Sequence, residues 1–112
     1  MLRDIDDACA RAGVTPDLFL AAHSHTYQRY TRRFSFAGVK SEVPFVVAGI
    51  GGINDKPVPK ATGQITDDHS FDAAHQGFGY LVVEADANSI GIRAIDVKGT
   101  QKAEFDHVRV TF

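Results

Sequence analysis

Only the first dozen residues of this chain repeat their apolar positions at helical spacing, and from residue 18 onward the pattern is that of strands. Two of those strands, "LFLAAH" (18–23) and "VPFVVAG" (43–49), are apolar on both faces, the pattern of a sheet covered on both sides. One helix followed by strands is a narrow menu. A length of 112 residues holds one such core and not two. The expected fold is therefore α+β, an N-terminal helix plus a mostly antiparallel β-sheet of five or six strands, in a single domain over 1–112.

In the helix, 2–12, Leu2, Ile5, Cys9 and Ala12 share a face, and Gly13 follows as a stop. Cys9 belongs to that core-facing stripe and not to a reactive thiol. "TPD" (15–17) makes a turn. "YQRYTRRFSF" (27–36) alternates bulky and charged residues, as a strand with one wet face does, and Gly38 marks the next turn. Residues 51–77, with Pro57, Pro59, Gly63 and many polar residues, read as a long loop, either functional or poorly ordered. "FGYLVVEAD" (78–86), "SIGIRAIDV" (89–97) and "EFDHVRVTF" (104–112) read as three strands, joined by turns at "ANS" and "KGTQ".

Composition excludes several function classes. The net charge is −2 and the longest basic run is "QRYTRR", so no nucleic acid is expected as a partner. No apolar stretch approaches 18 residues, so no membrane span is expected. A single cysteine excludes an internal disulfide and fits a reducing compartment. The expected location is cytoplasmic, unless an export signal lies upstream.

The chemistry-bearing stretch is "AAHSHTYQR" (21–29). On an extended segment, His23 and His25 at i and i+2 point the same way, the spacing that a metal site wants. Two surface histidines at a strand end are the alternative reading.

The surrounding residues, "PDLFLAAHSHTYQRY", resemble the last metal-binding block of the calcineurin-like metallophosphoesterases, in their purple-acid-phosphatase-like branch. There a buried strand ends in Gly-His-x-His, followed by an aromatic residue and an Arg; this chain has Ala22 where the family has Gly. "VPFVVAGIGG" is similar to the strand and glycine loop that follow, and "GFGYLVVEAD" with "SIGIRAIDV" to the closing hairpin. The resemblance implies a fold similar to the C-terminal half of the metallophosphoesterase αββα sandwich. It also implies a divalent or transition metal cofactor, Fe, Mn or Zn, in a two-metal site that clamps an in-line phosphoryl displacement. His25 would then bind the first metal and His23 the second. The family's other ligand blocks, Asp-x-His, Gly-Asp, Gly-Asn-His and a further His, do not occur before residue 23 here.

Other candidates read as structural. Asp67 and His69 have the Asp-x-His form but follow the His-x-His block, so solvated loop residues are expected, and the same holds for His75. His107 falls on the polar face of a terminal strand. Arg29, Arg32 and Arg33 fit a hairpin's wet face better than an anion site, and Tyr27 and Tyr30 pack on the sheet. Ser24 between two histidines is no triad, because neighbouring side chains on a strand point apart. "GIGGIN" (49–54) is no dinucleotide fingerprint, since "DKPVPK" prevents a following helix.

Two readings follow. In the first, the chain is the C-terminal segment of a metal-dependent phosphoesterase, inactive alone, with its remaining ligands on a missing N-terminal half or a partner. In the second it is a non-catalytic binding domain of the same ancestry. In either, one helix covers only one face of a sheet that is apolar on both, so a homodimer, sheet on sheet or edge on edge, or the missing half is expected to cover the other. The long 51–77 loop folded over the sheet is the competing reading.

Overall fold

The computed structural model describes residues 2–36 and 38–112. Helix α1 spans Leu2–Ala12, as its periodicity predicts. Gly13, at φ 67°, takes the left-handed turn that ends it, and the Val14 amide donates to the Cys9 carbonyl at 3.2 Å. Eight strands follow: β1 (Phe19–Ala21), β2 (Tyr27–Phe36), β3 (Val39–Ala48), β4 (Ile65–Thr66), β5 (His69–His75), β6 (Gly79–Ala85), β7 (Ser89–Lys98) and β8 (Gln101–Thr111). The α+β class stands, with one N-terminal helix and mostly antiparallel strands.

The strands form two sheets rather than one: a five-stranded sheet ordered β1-β3-β2-β5-β4 and a three-stranded sheet ordered β6-β7-β8. All neighbours are antiparallel except β1 and β3, which run parallel with Phe19 opposite Phe45. Strand β3 starts four residues before the apolar run, at Val39, because the tight turn at Gly38 lets it pair with β2 along the full length of both.

The expected loop over 51–77 is corrected. Its second half contains β4 and β5, and β5 pairs with β2 from Tyr27 opposite His75 to Arg32 opposite His69. "HSFDAAH" has no clean alternation, yet β2 offers it a ten-residue edge. That partner, and not local propensity, makes the strand.

The sheets pack face to face. Tyr27 and Val46 of the large sheet, Ile92 and Ala94 of the small one, and Ile50 between them form the buried centre, flanked by Leu18, Ala73, Leu81, Phe105 and Val108. The opposite face of the large sheet carries an aromatic strip. Phe19 and Phe45 lie 4.2 Å apart between ring centroids, and Tyr30 stacks on Phe71 at 4.6 Å. Tyr27 and Tyr30 thus pack on the sheet as expected, one on each face.

Candidate functional site

The His-x-His segment is a bend and not the end of a strand. Strand β1 stops at Ala21, and residues 23–26 turn the chain back into β2. His23 sits at φ 79°, in the left-handed region that a residue with a Cβ rarely enters and that often accompanies a functional role. The expected extended segment under the two imidazoles is therefore corrected to a bend.

The bend is pinned from several sides. The Thr26 amide donates to the Ser24 carbonyl at 2.8 Å, the Gly49 amide to the Thr26 carbonyl at 3.1 Å, and the Lys56 amide to the His25 carbonyl at 3.0 Å. A Cβ at Gly49 would fall on the Ser24 carbonyl oxygen, so the glycine after β3 lets the loop close over the bend. The Thr26 hydroxyl is buried and accepts from Gln28 Nε2 at 2.8 Å, with Ser24 Oγ at 3.2 Å.

His23 is exposed and His25 half-buried. His25 Nδ1 is buried without a hydrogen-bond partner, the one such side-chain atom among the described residues. Buried polar groups are ordinarily satisfied, so an orphan asks for an explanation such as an ion. Among the described residues, however, no group of three or more His, Cys, Asp or Glu is placed to hold a metal. The donors present are two imidazoles, short of the three or four protein ligands of a closed site.

A second polar cluster lies between the sheets. Asp106 of β8 accepts from Tyr27 Oη at 2.6 Å and from Arg29 at 2.7 Å (Nε) and 3.1 Å (Nη2). Arg29 also lies 3.6 Å from Asp72, which accepts a short hydrogen bond from Thr31. Burial raises the Asp106 pKa, but the bonds from Arg29 and Tyr27 outweigh it and hold the carboxyl below the usual aspartate value. Burial, and then the Asp106 carboxylate, push the Tyr27 phenol well above its ordinary range, so it stays a donor.

His75, expected as a loop residue, lies in β5 with Nε2 2.6 Å from Asp96 Oδ1 and its ring stacked on Phe105 at 4.1 Å. It is a clasp between the sheets. Arg29 and Arg32 are likewise not on a wet face: Arg29 is half-buried and Arg32 is 8% exposed. Arg33 is half-buried near Glu42 at 3.4 Å. Asp67 occupies the turn between β4 and β5 at φ 52°, His69 pairs with Asp68 at 3.1 Å, and His107 is exposed on β8.

The sequence reading missed Asp72 and Asp106, and both arise at β-bulges. Pairing of β2 with β5 slips so that Asp72 has no opposite residue, and pairing of β7 with β8 slips so that Phe105 has none. A bulge lets two successive residues face one side, as Phe105 and Asp106 both do toward the core. The signal available was two acids next to apolar residues in strands, which alternation assigns to water.

Beside the His-x-His bend, β1 and β6 border an open groove of about 470 Å³ lined by Leu20, Ala22, Ile50, Gly79, Tyr80 and Leu81. Both are edge strands of their sheets among the described residues, and the Gly79 amide at the start of β6 donates to the Ile50 carbonyl at 2.9 Å. No helix among the described residues is long and apolar enough to cross a membrane. Compared with protein-family models, curated proteins and solved structures, the chain matches none.

Proposed function

We propose that this chain is the C-terminal part of a metal-dependent phosphoesterase, contributing His23 and His25 to a two-metal site for Fe, Mn or Zn. The observation that carries the reading is the His25 ring, held in a pinned bend with a buried Nδ1 and no partner for it. The strained backbone of His23 and the closure of Gly49 over the bend add to it. The two imidazoles do not complete a site by themselves, and no chemical step is assigned to them alone. They stand just past the C-terminal end of β1, an edge strand, so a strand added to that edge would bring further donors alongside. Expression of the whole open reading frame that encloses these residues tests the proposal. Hydrolysis of p-nitrophenyl phosphate with Mn²⁺ or Zn²⁺, abolished together with bound metal in His25→Ala, is expected. Unchanged metal content in that variant counts against it.

The open edges favour a second reading, a non-catalytic interaction domain. Native sheets blunt their edges with short strands or charge, as β4, two residues long, and the charged β8 do here. β1 is short as well, at three residues, but β6 runs seven with Glu84 as its single charge, and Leu20 of β1 is 51% exposed, with Tyr80 and Val83 of β6 also exposed. A second copy related by a two-fold axis normal to the sheets would pair β1 with β1 and β6 with β6, extending both sheets at once. In this reading the pure chain sediments as a dimer at micromolar concentration and Leu20→Lys makes it a monomer. A wild-type monomer of 12.2 kDa excludes it.

A further inference from the structure

Helix α1 is attached to the rest of the molecule differently from every strand. None of its residues is buried; Ile5, Asp6 and Cys9, on its inward face, are half-buried. Asp6 makes an ion pair to the large sheet, its two carboxylate oxygens each accepting from Arg32 at 3.0 Å. The Arg32 guanidinium lies 4.6 Å from the Phe34 ring centroid and 5.2 Å from that of Phe45, a cation held over two aromatic faces. It also donates to Asp68 at 3.3 Å.

That last contact matters most. Breaking a buried ion pair is costly when it leaves a charge without a partner. Here the departure of Asp6 leaves Arg32 with Asp68 and two rings. The sheet side of the contact therefore tolerates release. On the helix side, the chain turns at Gly13 into Val14, which is 60% exposed, before Thr15 and Pro16 return to half-buried positions, so the hinge itself lies outside the packed core. An isolated helix of eleven residues is too short to persist in water, so a lifted α1 melts.

We propose that α1 is a releasable strap, clipped to the outer face of the large sheet by Asp6, whose lifting uncovers Arg32 and the aromatic rings beneath it while the two-sheet core stays intact. Cys9, the single cysteine, reports the event because it lies on the strap's inward face. Asp7, exposed on the next residue, supplies a control of equal charge change that leaves Arg32 alone.

The experiment measures the maleimide-labelling rate of Cys9 and amide exchange in wild type, Asp6→Asn and Asp7→Asn. Asp6→Asn is expected to raise labelling and exchange over residues 2–12 by about tenfold, with β2 and β3 unchanged, and Asp7→Asn to stay within about twofold of wild type. Equal behaviour of the two variants overturns the strap. So does accelerated exchange in both sheets of Asp6→Asn, which would make α1 part of the global cooperative unit. Wild-type Cys9 that labels as fast as a free thiol also overturns it, since nothing would then be clipped.

Discussion

Asp106 shows how one side chain can join two sheets. It belongs to the small sheet and receives its hydrogen bonds from the large one, through a phenol that is fully buried and a guanidinium that is mostly so. Replacing it by alanine leaves the buried Tyr27 hydroxyl unpaired and Arg29 with Asp72 alone, and a loss of about 3 kcal/mol in unfolding free energy is expected by chemical denaturation. The pH dependence has a definite sign. The folded pKa lies below the unfolded value of about 3.9, so the contribution is complete above about pH 4 and is lost as pH falls through the folded value. Asp68, hydrogen-bonded first to His69, and Asp86, bonded first by the Asn88 amide, are lowered as well and act in the same direction. Titration of stability between pH 5 and 2 should therefore show a shallower acid slope in Asp106→Asn than in wild type; identical slopes contradict the assignment. The histidine pair stood out in the sequence by residue type and spacing, but the bend that carries it did not. The acids between the sheets were not legible, because a bulge changes which face a residue sees without changing the sequence pattern.

At the scale of elements, the helix and the hairpins were readable where local signals agree. Leu2, Ile5 and Cys9 with Gly13 bound α1, and Gly38 and Gly99, both at positive φ, sit at the turns of the β2-β3 and β7-β8 hairpins. Strand β5 was not readable. Its residues carry three acids or histidines in seven positions, and its pairing comes from a partner some 40 residues away in sequence. Strand β1 is shorter than its apolar run because the chain bends at His23 to reach β2. Amide exchange separates the two descriptions of 51–77. Residues 70–74, paired with β2, should exchange far more slowly than 52–62, which lie in no strand; uniform fast exchange over 51–77 would restore the loop.

The whole molecule is a sandwich of unequal sheets, closed by a polar clasp on one side and open on the other. Its closed side joins β2 and β5 to β7 and β8 through Asp106, Arg29, His75 and Asp96. On its open side, β1 and β6 end both sheets beside the pinned histidine bend. The apolar face expected to need a second copy or a missing half is instead packed against β6–β8 of the same chain, and the open edges were not legible, since sequence periodicity reports which faces are apolar and not where a sheet stops. The proposed metallophosphoesterase segment would hold two metal ligands, His23 and His25, and not a complete catalytic centre. Zn²⁺ titration of the pure chain, followed by calorimetry and by p-nitrophenyl phosphate hydrolysis in the same samples, decides this. Weak binding that is lost in both His23→Ala and His25→Ala, with no turnover, is the predicted result. Metal-dependent turnover by the wild-type chain that disappears in His25→Ala would contradict it.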